Sequence, residues 1–341
     1  MMETQKQALW QDDGSAARLA GAIHKDGTYQ LVWSDDFSGD ALDLDKWTGH
    51  ANMSAPDIVL SMEEDTVKVK DGILTLTTSI LDRENPYARY KSNFALSTRN
   101  TMNYKWGYLT MRAKVPFFGK GEWPSFWMHS NGSELAKAAR EARGVWHDPK
   151  YFLEIDIFEQ FSSVDTIFPN IHKHDYKDNV HQQLSGIDQG GNLFQSGTRA
   201  YKFPSQEEAQ KWHDYGFLWT EHLMAYSVDG VFYYAYDLSR DFTQKPEIVG
   251  MEDFDQCLHI LINNMMYSEG MRDAHPQNGF FNRCPAPGAE GDALFPLTYE
   301  ISSVQLYQIP GYGEFYQKAP GGGKAVTGKD PYAPHKPKET P

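Results

Sequence analysis

Glu154, Asp156 and Glu159 fall within the six-residue run Glu154-Ile155-Asp156-Ile157-Phe158-Glu159. Successive side chains of a strand alternate between faces, so Glu154 and Asp156 share one face and Ile155 and Ile157 share the other. Glu159 rejoins the acidic face only if one extra residue is inserted at Ile157-Phe158. A β-bulge makes that insertion, and bulges are often placed beside active sites to re-aim a side chain. The run then reads as three carboxylates in a row, pointing into a groove. Like charges on one face of a strand are destabilising, so a surface strand with three acids by chance is a poor account of it. Glycoside hydrolysis, by contrast, needs two carboxyl groups facing one bond.

The elements that must position such a row are short strands. Val67–Lys70 and Ile73–Thr77 flank Asp71-Gly72, and Ala225–Val228 and Val231–Tyr234 flank Asp229-Gly230. Both read as hairpins closed by an Asp-Gly turn. Leu31-Val32-Trp33, the alternating run 108–115 and the run 301–308 add further strands. Many short strands separated by turn signals indicate an all-β sandwich or barrel. Helical text is sparse. Ser133 to Arg143 has high helix propensity and ends at Gly144, and Ser205-Gln206-Glu207-Glu208 fits a capping box before a short helix reaching to about Trp212.

Composition narrows the function classes. The 341 residues are 40% hydrophobic and 14% aromatic, which is enough for a sizeable core and suits half-buried strand faces or sugar-stacking platforms. With 32 Lys plus Arg against 46 Asp plus Glu, the net charge is −14. No basic footprint for nucleic acid exists, and a polyanionic substrate is weakly disfavoured. The two cysteines, Cys257 and Cys284, form no metal-binding pattern, and their pairing is left open. No apolar run approaches a membrane span, and the N-terminal residues do not read as a signal peptide, so the protein is expected to be intracellular or to have lost its signal.

Trp33-Ser34-Asp35-Asp36-Phe37, Ser97-Thr98-Arg99, Trp106-Gly107-Tyr108, the stretch Gly121 to Trp127, Glu154 to Glu159, and Ile262-Asn263 follow one another along the chain. Together these ordered pieces resemble glycoside hydrolase family 16, the group of laminarinases, lichenases, agarases, porphyranases and κ-carrageenases. The resemblance runs from about Leu31 to Gln308. It implies a jelly-roll sandwich of two curved antiparallel sheets, with few short helices and an open concave cleft for a polysaccharide. It also implies hydrolysis with retention, Glu154 as nucleophile, Glu159 as general acid/base, and Asp156 between them. Along the strand the two glutamates lie about four steps apart, ~13 Å, so the closer approach that retention needs is likewise an implication of the resemblance.

Substrate-binding candidates follow from the same alignment. Trp123 and Trp127 share a face at even spacing and stack on sugar or fill the core together. Trp106 is a similar candidate. His172, on the return strand after the acids, is aligned with a family histidine, a structural histidine being the other reading. Asn52 stands where family members contact distal sugars. Ser302 replaces an Asp that helps hold a structural calcium in the family. A hydroxyl is a poorer ligand for that hard cation, so no cofactor is expected to be required. The segment 131–150 is longer than usual and is expected to shape the cleft rim.

These readings divide the chain into an extension over 1–27, a catalytic domain over 28–312 and a Gly/Pro/Lys-rich tail over 313–341. They point to a monomeric endo-β-glycanase that binds a polysaccharide and neither nucleic acid nor membrane. By the resemblance, the form with one extra residue between the acids is that of laminarinases and algal galactanases. The acidic balance tilts weakly against sulfated galactans and so favours a laminarinase-like endo-1,3-β-glucanase, which the resemblance places outside the cytoplasm. A β-galactanase on agar, porphyran or carrageenan, a transglycosylase, and a non-catalytic glycan-binding module stay open as alternatives.

Overall fold

The computed structural model describes residues 29–49, 58–119, 121–130, 134–142, 152–175, 180–183, 200–237, 256–266 and 295–318, apart from 83, 86, 87, 94, 162, 221 and 222. The expectations for residues 1–27, Asn52, Cys284 and the tail past 318 lie outside these residues.

The chain begins with strands β1 (Gln30–Asp35), β2 (Thr48–Gly49), β3 (Ile58–Leu60), β4 (Val67–Lys70), β5 (Ile73–Ile80), β6 (Tyr90–Ser92) and β7 (Leu96–Ser97). Next come β8 (Met102–Lys105), β9 (Gly107–Lys114), β10 (Glu122–His129), helix α1 (Glu134–Ala142), β11 (Phe152–Glu159) and β12 (Thr166–Asp175). The remainder is β13 (Val180–Gln183), β14 (Tyr201–Lys202), helix α2 (Gln206–Ala209), β15 (Trp212–Trp219), β16 (Leu223–Val228), β17 (Val231–Asp237), β18 (His259–Met266), β19 (Leu297–Gln308) and β20 (Glu314–Gln317). Both Asp-Gly hairpins form as expected. Asp71 and Gly72 have φ of 52° and 78°, and Asp229 and Gly230 have φ of 51° and 76°. Positive φ at both central residues is what makes a two-residue turn match the twist of its strands. α2 is capped by Ser205, whose hydroxyl accepts from Glu208 N, but it stops at Ala209 rather than near Trp212. Trp212 opens β15 because its partner strand, β9, claims the backbone there.

Two open sheets face each other. One is ordered β17-β16-β15-β9-β19-β5-β6-β3, with β1 on β19 and β4 on β5. The other, the site sheet, is ordered β13-β12-β11-β10-β18-β7-β2, with β14 on β12. The main core lies between them and includes Leu74, Leu109, Phe126, Ile155, Phe217 and Ile260. Asn264 is buried on the inward side of β18 and donates to Leu76 O and Leu297 O, both at 3.0 Å, which ties the site sheet to the opposite one. α1, the described part of the long 131–150 segment, packs against β8 and β20. That segment leaves the site sheet directly after His129 and Ser130 and returns at Phe152.

A buried carboxylate anchors the opposite end of β10. Glu122 Oε1 accepts from Phe118 N at 2.6 Å, Gly119 N at 2.5 Å and Gln160 Nε2 at 2.9 Å. It thereby fixes the turn entering β10 and the residue that follows β11. Removing this acceptor strands buried donors, each costing ~1–3 kcal/mol. Glu122→Ala is therefore expected to lower the unfolding free energy by about 3 kcal/mol in urea titration, with Glu122→Gln losing less.

On the opposite sheet, His213 Nδ1 lies 2.7 Å from Asp229 Oδ2 and its Nε2 lies 2.8 Å from Glu208 O. Both partners are acceptors, so the ring that satisfies both is the imidazolium. Burial pulls the His213 pKa down, but the hydrogen bonds to Asp229 and Glu208 outweigh it and the net shift is upward. Burial pushes Asp229 up, and the His213 bond and the Asp214 backbone N–H outweigh it, leaving it depressed. The stabilisation from His213 is thus complete below the ordinary imidazole pKa and is lost as pH rises through the raised one. With Asp229 half-exposed, the effect is expected at the low end, about 0.5–1 kcal/mol. His213→Phe is expected to flatten the fall in Tm between mildly acidic and alkaline pH.

Candidate active site

β11 carries the bulge that the sequence called for. Against β10, Asp156 faces Trp127 and Phe158 faces Phe126, so two steps on β11 meet one on β10. Against β12, Asp156 faces Asn170 and Glu159 faces Phe168, three steps against two. The inserted residue restores parity. Ile155, Ile157 and Phe158 enter the main core, while Glu154, Asp156 and Glu159 stand on the outer face of the site sheet. Phe158 packs its ring 4.5 Å from that of Tyr215, on the facing sheet. Although they stand on an outer face, Asp156 and Glu159 are only 3% and 8% exposed, so that face is recessed rather than flat.

Neighbouring strands add the other side chains of the recess. From β10 come Trp123, Ser125, Trp127 and His129 at period two, and from β12 come Asn170, His172 and His174. Glu159 accepts from Trp123 Nε1 at 3.0 Å and from Asn170 Nδ2 at 2.6 Å. His172 Nε2 lies 3.2 Å from Asp156 Oδ2 and 3.8 Å from Glu154 Oε1. On the other oxygen of Glu154, His174 Nε2 lies at 3.1 Å and His129 Nε2 at 3.9 Å. The recess is thus graded: indole and amide donors at Glu159, imidazoles at Glu154.

That gradient sets the protonation of the acids. Burial raises the pKa of Glu154, but the hydrogen bond from His174 and the charges of His174, His172 and His129 outweigh it, and Glu154 is held well below the usual carboxylate range. Burial also raises Asp156, the Glu154 charge adds to it, and a hydrogen bond with Glu159 only partly offsets them. Glu159 is raised by burial and by the Asp156 charge, against the opposing effects of His172 and the Asn170 hydrogen bond. The surroundings therefore favour the anion at Glu154 and favour a proton on the touching pair Asp156 and Glu159. Two carboxyl groups with pKa values pushed apart are suited to separate nucleophilic and proton-donating roles.

The structure brings Trp123, Trp127 and His172 together with the acids. Trp123 and Trp127 share a face as their spacing requires, and it is the acidic face. Trp127 Nε1 donates to Asn263 Oδ1 at 2.7 Å. Both indoles also pack on a small satellite cluster that includes Leu261, Met265 and Met266, so they are half-buried walls of the recess. Trp106 is placed elsewhere. It has φ of 61°, enters β9 of the opposite sheet, and stacks on Tyr312 at 4.8 Å under Lys105 Nζ. Ser302, the position that departs from the calcium-binding Asp, is the extra residue of a bulge in β19. Cys257 is buried with its Sγ 3.6 Å from Glu314 Oε2.

His129, Asn170 and Asn263 went unpredicted as site residues, and of the two histidines on the return strand, one of which was expected beside the acids, His172 was chosen over His174. Period-two extension from Trp127 reaches His129, and the same step to either side of His172 reaches Asn170 and His174. The signal was present, but using it required knowing that β10 and β12 flank β11.

Comparisons with known proteins identify the family and the fold. The family model described as "Glycosyl hydrolases family 16" matches residues 54–252. Glucan endo-1,3-beta-glucosidase A1 of Niallia circulans is 25% identical over 301 residues, which is 82% of this chain and 38% of that protein. Glucan endo-1,3-beta-glucosidase of Cryptopygus antarcticus is 25% identical over 303 residues, which is 85% of this chain and 96% of that one. The laminarinase structure from Rhodothermus marinus superimposes with a TM-score of 0.57 at 21% identity, covering 82% of this chain and 97% of the other. The shared fold is the jelly-roll sandwich.

Proposed function

The chain belongs to glycosyl hydrolase family 16, and on that premise we propose that it is an endo-acting, retaining β-glucanase with a preference for β-1,3 linkages. The observation that carries the reading is one recess in which imidazoles surround Glu154 while indole and amide donors hold Glu159 beside Asp156, an arrangement that lowers the pKa of Glu154 and raises that of Glu159. The linkage preference rests on the two curated relatives, both glucan endo-1,3-beta-glucosidases.

In this reading Glu154 attacks the anomeric carbon while Glu159 passes its proton to the leaving glycosidic oxygen. Formation of the covalent glycosyl-enzyme removes the charge on Glu154. That charge is one of the influences raising Glu159, so its loss makes Glu159 a readier base toward the attacking water. Trp123 and Asn170 hold Glu159 in place through this change of role, and Asp156 stores the shared proton. Trp123 and Trp127 offer their exposed parts to the sugar rings. With a hydroxyl at Ser302, the reading includes no required calcium. It also places the protein outside the cytoplasm as a monomer. Among the described residues no helix is long and apolar enough to cross a membrane.

The test is a polysaccharide panel of laminarin, lichenan, agarose, porphyran and κ-carrageenan, with sizing of products. Laminarin is expected to give mid-chain oligosaccharides. Binding without release of reducing ends on every glycan would leave a binding module, and cleavage confined to a galactan would reassign the substrate. On the active substrate, Glu154→Ala is expected to lower kcat by about 10⁴-fold or more. His174→Ala removes the main influence depressing Glu154, so the acid limb of the kcat/KM profile is expected to move to higher pH. Asn170→Ala removes a bond that lowers the Glu159 pKa, so the alkaline limb is expected to move up.

A further inference from the structure

The imidazoles around Glu154 go beyond what a retaining mechanism needs. Hydrolysis requires an ionised nucleophile, and one hydrogen-bond donor is enough to hold it so. Here His129, Glu154 and His174 each present one donor atom, and these atoms all lie within 4.8 Å of one another. The rings of His129 and His174 lie close, with centroids 5.7 Å apart and planes at 26°.

Zinc binds imidazole nitrogen and carboxylate oxygen at ~2.0–2.2 Å, which separates tetrahedral ligand atoms by ~3.4 Å. The observed separations from Glu154 Oε2 straddle that value, at 3.1 Å for His174 Nε2 and 3.9 Å for His129 Nε2. A shift of about half an ångström in side chains brings both contacts to Glu154 to that value. The chemistry of the ligands selects the ion, since two imidazoles and one carboxylate suit zinc or copper and not calcium or magnesium. His129 is buried, whereas Glu154 and His174 keep 22% and 16% side-chain exposure. A fourth coordination position therefore opens toward the recess, for water or a sugar hydroxyl.

We propose that His129, His174 and Glu154 form a site for a divalent transition-metal ion of the zinc or copper class, and that the ion, by ligating the carboxylate oxygen of Glu154, reversibly switches hydrolysis off. The site follows from the ligand geometry. The inhibition rests, in addition, on Glu154 being the nucleophile. The ion draws negative charge from the whole carboxylate and fills the recess beside it, so neither oxygen of Glu154 attacks the anomeric carbon effectively, and any proton on the two imidazoles is released to solvent as they ligate.

The experiment titrates chelator-treated full-length protein with Zn²⁺ by calorimetry and with Co²⁺ by visible absorption, and follows Tm. One saturable site per chain is expected, with a Tm that rises with free metal. His129→Gln and His174→Gln are each expected to weaken it by more than the about 10–100-fold that loss of an outer-shell partner costs. A circular dichroism melt of each variant without metal verifies that it is folded. No saturable binding, or binding unchanged in both folded variants, overturns the site. On the substrate found by the panel, saturating Zn²⁺ is expected to abolish hydrolysis and chelator to restore it. Bound metal with hydrolysis unslowed overturns the inhibition. Failure to hydrolyse any glycan in metal-free buffer would count against the proposed function alone, since the calorimetry still decides the site.

Discussion

One residue too many in β11 is the constraint on which the site depends. A regular strand cannot put Glu154, Asp156 and Glu159 on one face and Ile155 and Phe158 on the other, because its period is two. The bulge resolves the conflict, and the core enforces it. Phe158 is fully buried and packs on Tyr215 of the opposite sheet, while Ile155 fills the same layer. Sliding the register back would put a carboxylate between the sheets and an aromatic ring in the recess. The hydrophobic layer thus sets the aim of Glu159 as surely as anything in the recess does.

Three carboxyl groups held together this way repel one another, and the neighbours decide how the repulsion is relieved. At the Glu154 end, imidazoles supply positive potential and a hydrogen bond, and the charge stays on the oxygen. At the Glu159 end, neutral donors satisfy the oxygens without supplying charge, and burial favours the protonated form. The asymmetry comes from two strands: β10 offers Trp123 at one end and His129 at the other, and β12 offers Asn170 at one end and His174 at the other. A strand pair read across its width is therefore the unit of function, more than the motif on β11 alone.

Much of this was legible in the residues. The three acids, the need for a bulge, the two Asp-Gly hairpins and the shared face of Trp123 and Trp127 all follow from period-two alternation and turn chemistry, which are local. Ser205 as a cap was local too, whereas the end of α2 was not, because pairing between Trp212 and β9 overrode helix propensity. The position of Trp106 was not local either: it leads into β9, and which sheet β9 joins is a question of topology.

By itself, the sequence determined the chemistry that β11 could support, since residue type and a fixed geometric period suffice for that. Only the tertiary structure decided which carboxyl group keeps its proton. That depends on charges and donors contributed by β10 and β12, up to 36 residues away along the chain and a few ångströms away in space. Desolvation and Coulomb interactions act through space with no regard for sequence order, so the gathering of His129, His172 and His174 around Glu154 became visible only when the strands were laid side by side.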